Sequence, residues 1–171
     1  MTFAKGIKII AVLLTAVFIV SCSYSVPDVV GESAYVTGEL TTDAGIFAVA
    51  ATLDEWHDVT SVRTGSLDYY DENGNLIFTV TLTKTSVTLF SGGISVPVSE
   101  NAAETYRTVM RLFSVCADSI LTREVSGGTA YTSYGGEPTV YCEANAETGI
   151  PSRLYCDGAD FCVSEWSFSG G

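Results

Sequence analysis

Basic residues and histidine are scarce in this chain of 171 residues. Lysine and arginine together number 8 against 20 acids, a formal net charge of −12, and there is a single histidine, His57. The charge balance excludes phosphate backbones and anionic lipid surfaces as partners, because affinity for both rests on cationic contacts. One histidine excludes the common histidine-rich metal sites, and as a general base His57 would need a partner that its W-H-D surroundings do not supply. No G-x-S-x-G, S-x-x-K, H-E-x-x-H or phosphate-binding glycine loop is present. Asp68, Asp71 and Glu72 cluster around Tyr69-Tyr70, but with 20 acids in the chain a solvated surface accounts for them. The expectation is a protein that is not an enzyme and carries no metal or cofactor. Long apolar runs are also lacking. The one block free of charge and strongly polar groups, IIAVLLTAVFIV at 9–20, would span about 18 Å as a helix, against roughly 30 Å of hydrocarbon.

That block does have a reading. It follows a basic start, MTFAKGIK, and the pair forms the layout of a secretory signal. Ile19-Val20-Ser21-Cys22 resembles a lipobox, the recognition site of bacterial lipoprotein signal peptidase. The resemblance implies cleavage before Cys22 and a diacylglycerol on its thiol. Residues 1–21 are then a signal peptide, 22–33 a lipidated N-terminus and tether, and 34–171 a single domain. Cleavage leaves 6 basic against 20 acidic residues, a net charge of −14, so attachment to membrane falls to the lipid. The expected address is the extracytoplasmic face of a bacterial cell membrane.

Beyond the tether the pattern has period 2. Phe47, Val49, Ala51 and Leu53 share one face of GIFAVAATLD, and Leu76, Phe78, Val80 and Leu82 share one face of LIFTVTLT. Such alternation marks half-buried antiparallel strands, and Asn73-Gly74 between them suits a hairpin. SVTLFSG and ISVPV continue the sheet, with Pro97 at an edge or strand end. One helix is expected from Asn101 to Arg123, capped by Asn101 with Glu104 and stopped by Gly127-Gly128. Its apolar stripe comprises Tyr106, Val109, Met110, Phe113, Cys116, Ala117, Ile120 and Leu121. The C-terminal third returns to strands, so the class is α+β, mainly antiparallel, with the helix lying across the sheet.

Four cysteines remain beside Cys22. A hairpin centred on Gly149 would place Cys142 opposite Cys156, and one centred on Ala159 would place Cys156 opposite Cys162. With Cys116 on the helix stripe, all four would share one buried neighbourhood. Buried free thiols or two disulfides in any of three connectivities satisfy this, and zinc is the remaining reading, although no C-x2–4-C knuckle is present.

Two segments carry a family resemblance. NAETGIPSRLYC (145–156) is similar to an acidic-x-T-G-[LI]-P turn in small exported lipoproteins with a LolA/LolB-like fold, and NGNLIFTVTLTKTSVTLFSGGISVP (73–97) resembles clostridial-type members. The resemblance implies a curved sheet, an incomplete barrel, covered on its concave face by helix. It also implies a lipophilic cavity for a lipid, acyl chain or acylated partner. The residues placed to line such a cavity are Phe47, Val49, Phe78, Val80 and Leu82 from the sheet, and Tyr106, Val109, Met110 and Phe113 from the helix. The alternative is an interaction or sensor module that displays an acidic face to another envelope protein.

Overall fold

The computed structural model describes residues 33–54, 64–113 and 119–169. The signal and lipidation segment with Cys22, and also His57 and Cys116, lie outside the described residues.

Eleven strands form one antiparallel sheet: β1 (Ser33–Thr42), β2 (Gly45–Asp54), β3 (Gly65–Tyr70), β4 (Leu76–Leu82), β5 (Val87–Ser91), β6 (Ile94–Pro97), β7 (Ile120–Ser126), β8 (Thr129–Tyr134), β9 (Val140–Asn145), β10 (Pro151–Cys156) and β11 (Ala159–Ser169). The described chain has one helix, α1 (Glu100–Arg111), between β6 and β7. The spatial order is β6-β5-β4-β3-β2-β1-β11-β10-β9-β8-β7. Two meanders are therefore joined at the β1–β11 seam, and β6 and β7 are left as edges. The sheet is open, not a closed barrel, and Pro97 sits on an edge strand, where its missing N–H costs no ladder bond.

The sheet nevertheless curls. Tyr106 meets Tyr69 of β3 edge to face, at 6.2 Å between ring centroids. Five residues later, Arg111 donates to the carbonyls of Gly135 (3.0 Å) and Pro138 (3.2 Å) in the β8–β9 loop. In a flat sheet these two contacts would lie roughly 25 Å apart, whereas five helical residues advance about 7.5 Å. The strands wrap around α1, and the residues between form one core: Val36, Leu40, Leu53, Leu67, Val80, Val109, Phe113, Leu154 and Phe161 are among its fully enclosed members.

Alternation places β2 and most of β4 as the sequence pattern predicts, with Val49, Ala51, Leu53, Val80 and Leu82 buried, but Leu76 lies beyond the register shift at Tyr69/Tyr70 and is exposed. The helix is different. Ser99, not Asn101, is the N-cap, with extended backbone and no side-chain capping bond. The helix ends at Arg111 with Leu112 as C-cap, and Ile120 and Leu121 belong to β7. Gly127-Gly128 does not stop a helix. It is a two-residue hairpin turn with both φ values positive (58° and 83°), flanked by the Ser126–Thr129 pair.

The cysteine register also departs from expectation. Asn145 anchors its turn by accepting through Oδ1 from the N–H groups of Glu147 and Thr148, both at 2.9 Å. This centres the hairpin before Gly149, and a bulge follows, so Cys142 faces Leu154 and not Cys156. Asp157-Gly158 forms a tight turn that pairs Cys156 with Ala159 and Arg153 with Cys162. The second offset is odd, and in a strand an odd slip moves a side chain to the opposite face. Cys162 is accordingly exposed, Cys156 half-buried and Cys142 buried, and all three are free thiols.

Candidate functional site

Between α1 and the sheet lies a cleft of about 180 Å³. Leu40 of β1, Phe47 of β2, Tyr69 of β3 and Phe78 of β4 form its wall, and Ala102, Thr105, Tyr106 and Val109 of α1 face them. The wall exists because these four strands put the same parity inward: Leu40 pairs with Phe47, Val49 with Tyr69, and Tyr69 with Phe78. Three rings give it shape. Tyr69 stacks on Phe78 at 4.5 Å and 20°, and Phe47 meets Tyr69 edge to face at 5.7 Å. Such geometry holds rings in place beyond what burial alone contributes.

No charged side chain among the described residues lines this cleft. Its two phenols stay neutral: burial, and then the neighbouring Tyr106, push Tyr69 well above the usual tyrosine range, and burial raises Tyr106. None of the three described thiols lines it either. The arrangement offers apolar surface with phenol and threonine hydroxyls at its margin, and no nucleophile or general base. It is suited to holding an apolar group.

Of the residues expected to line a cavity, Phe47, Phe78, Tyr106 and Val109 do so. Val49, Val80, Leu82, Met110 and Phe113 are packed into the core instead. Phe113 lies in the turn after α1, edge to face with Phe161 at 5.1 Å and with Trp166 at 6.3 Å. Leu40 and Tyr69 were missed by the sequence reading. Leu40 was findable, since Ala34, Val36 and Leu40 keep one parity along β1. Tyr69 was masked by its acidic neighbours. Those acids serve the sheet: Asp68 accepts from Thr79 Oγ1 across the β3–β4 ladder at 2.6 Å. Asp71 closes the hairpin by accepting from the N–H groups of Asn73 (2.9 Å) and Asn75 (2.8 Å). Hydrogen bonds from Asn75 and Asn73 hold its carboxyl below the usual range.

The inner face continues beyond the helix. Leu89 of β5 pairs with the buried Val80 and, on its other side, with Val96 of β6. Val96, and Ile94 two residues before it, therefore share the core-facing side, yet they are 48% and 66% exposed. An apolar strip thus runs from the cleft toward the β6 edge without cover among the described residues.

No family model and no curated protein matches this chain. Among solved structures it is similar to LprF from Mycobacterium bovis, at 13% identity and a TM-score of 0.38, over 83% of this chain and 88% of that one. It is also similar to a domain from Vibrio parahaemolyticus assigned as an outer membrane lipoprotein-sorting protein, at 8% identity and a TM-score of 0.38, over 81% of this chain and 86% of that one. Overlap and identity at this level are too low to carry a function across.

Proposed function

We propose that this chain is a membrane-anchored lipoprotein of the bacterial envelope, held by a lipid on Cys22, that binds a hydrophobic ligand between α1 and the curled sheet. The ligand class is a lipid, an acyl chain or an acylated partner. The observation that carries this reading is the uncharged aromatic cleft bounded by Leu40, Phe47, Tyr69, Phe78 and Tyr106. A dry apolar cavity of about 150 Å³ is enough to bind benzene, so 180 Å³ accepts the end of an acyl chain. The rest of a longer chain would lie along the strip of Leu89, Ile94 and Val96, where burying exposed apolar surface supplies about 25 cal/mol per Å². The lipobox-like Ile19-Val20-Ser21-Cys22 supports the lipid anchor in this reading.

The test uses the chain expressed from Ser23 and purified without detergent. Mass spectrometry of a solvent extract reads any copurified lipid, and displacement of a fluorescent fatty acid reads binding. Ala102→Trp places a ring at the cleft mouth without removing a core contact, since Ala102 is exposed. The expected result is fatty-acid binding in the parent chain that falls at least about tenfold in the variant. Absence of both copurified lipid and fatty-acid binding in the parent chain would refute the proposal.

A further inference from the structure

The face of the sheet turned away from α1 carries a second and chemically different groove. Two rows of cross-strand partners run side by side over five strands. The first is Thr122, Ser133, Tyr141, Tyr155 and Asp160, and the second is Glu124, Tyr131, Glu143, Arg153 and Cys162. Between β7 and β10 they enclose a groove of about 220 Å³ with Tyr131, Tyr141 and Tyr155 as its rings, and with Thr122, Arg123, Glu124, Thr132, Ser133 and Cys142 completing its lining.

Its parts are fixed in advance. Tyr141 and Tyr155 stack at 5.2 Å with planes 17° apart. The Arg153 guanidinium lies 4.8 Å from the Tyr155 ring centroid. It is held there by Asp160, with Nε to Oδ1 at 2.9 Å and Nη2 to Oδ2 at 2.5 Å, and by Glu143 at 3.3 Å. Thr122 and Ser133 join hydroxyls at 2.6 Å, and Ser133 is buried. Tyr131 and Tyr141 are each 44% exposed, so the rings are ordered yet open to solvent. Ordered aromatic surface binds with little further loss of side-chain freedom.

We propose that this groove binds a neutral carbohydrate chain, one pyranose ring at a time. A purely apolar ligand would strip water from Glu124, Glu143 and the hydroxyl pair without replacing its hydrogen bonds. An anionic ligand would meet those two carboxylates, while Arg153 is already committed to Asp160 and Glu143 and Arg123, the cation that lines the groove beside Glu124, is not free either. A pyranose answers both demands: its C–H face lies against a tyrosine ring, and its hydroxyls donate to carboxylate and hydroxyl oxygens at the rim. The groove is below the range of roughly 300–1,000 Å³ that encloses a drug-sized molecule. That size suits one ring of a chain whose neighbours continue along the sheet. The site is separate from the apolar cleft, and neither depends on the other.

The experiment titrates the full chain, in the sugar-free detergent lauryldimethylamine oxide, with cellohexaose, chitohexaose and maltohexaose by isothermal calorimetry. At least one is expected to bind saturably with Kd at or below about 1 mM. Tyr141→Ala should weaken that binding at least about tenfold, whereas Tyr141→Phe, which keeps the ring, should stay within about twofold. Independently of any variant, the bound sugar should protect Tyr131, Tyr141 and Tyr155 of the unaltered chain from nitration by tetranitromethane. No binding by any of the three sugars, or binding with no protection of these tyrosines, overturns the proposal. So does a folded Tyr141→Ala chain that binds like the parent.

Discussion

Cys142 lies directly across the β9–β10 ladder from Leu154, and Cys156 pairs with Ala159, so neither thiol faces another. Burial, and then the charge of Glu143, push the Cys142 thiol up to about 12, while Cys162 stands exposed on the opposite face. Since the thiolate is the reactive species, iodoacetamide should modify Cys162 in the native protein and reach Cys142 only after denaturation. Peptide mass mapping over time reads both. Equal rates at the two sites, or a recovered Cys142–Cys156 disulfide, would contradict the register.

The same burial predicts a fall in stability at alkaline pH. The Cys142 thiol has an ordinary value of 9.0 and a folded value near 12, and Tyr69 is also raised. Above about pH 9 the unfolded chain loses the thiol proton that the folded chain retains, so the unfolded state binds fewer protons and stability falls as pH rises. The contribution is complete below pH 9 and is lost progressively up to about pH 12. The slope approaches about 1.4 kcal/mol per pH unit from Cys142 alone. Urea unfolding at pH 8 and pH 10.5 should differ by about 1–2 kcal/mol, and Cys142→Ala should flatten the difference. An unchanged slope in that variant would assign the loss to other groups.

Much of the sheet was legible because period-2 alternation is a local signal, and β2 and β4 carry it cleanly. Register is not local. The single pair Asn145 Oδ1 and Glu147 N–H moves the centre of one hairpin, so that Cys142 faces Leu154, and the tight Asp157-Gly158 turn of the next puts Cys162 on the opposite face. The helix was overextended because Ile120 and Leu121 satisfy a 3.6-residue stripe as well as a strand. The decision between the two lies in the ladder with β8, which no short window displays. Phe47, Phe78, Tyr106 and Val109 could be placed on inward faces from pattern alone, but pattern did not separate them from Val49, Val80, Leu82, Met110 and Phe113, which pack in the core. Tyr69 could not, because its inward parity is visible only once β3 is paired with β2 and β4.

Phe113 shows how much of the core depends on one residue outside regular structure. Its ring is fully enclosed and meets Phe161 and Trp166 on β11. Phe113→Ala removes both ring contacts and leaves a cavity that the surrounding strands cannot close, at a cost of about 3–5 kcal/mol. Denaturant unfolding checks this. A loss below about 1 kcal/mol would mean that the turn after α1 is loosely packed.

Gly38 marks the bulge where β1 and β11 change register, between Thr37 and Gly38. A Cβ there would overlap the carbonyl oxygen of Cys162 and approach the Phe161 ring to 2.8 Å. The obstacle is backbone, which yields less readily than a side chain. Gly38→Ala should therefore destabilise by about 1–3 kcal/mol. It should also expose the seam amides to hydrogen exchange ahead of those in β3 and β4. Uniform exchange across the sheet would show that the seam is no weaker than the rest.

Arg111 is the fastening that holds the end of α1 to the far half of the sheet. Its guanidinium serves two carbonyls at once, Gly135 and Pro138, a geometry that a lysine ammonium on its single stem does not reproduce. Hydrogen bonds from charged donors contribute about 1.5–3 kcal/mol net of the water bonds they replace, so Arg111→Ala should destabilise by at least about 2 kcal/mol and Arg111→Lys by somewhat less. Gly136 supplies a second handle on the same contact. Its φ is +141°, and a Cβ there would fall on the Arg111 guanidinium. Gly136→Ala should thus cost backbone strain together with displacement of Arg111, and only the strain survives when Arg111 is already absent. The two substitutions should be non-additive, the double variant being more stable than the sum of the single losses by about 1 kcal/mol or more. Strict additivity in a double-mutant cycle would mean that Gly136 matters for its backbone alone and that α1 is held by its apolar face.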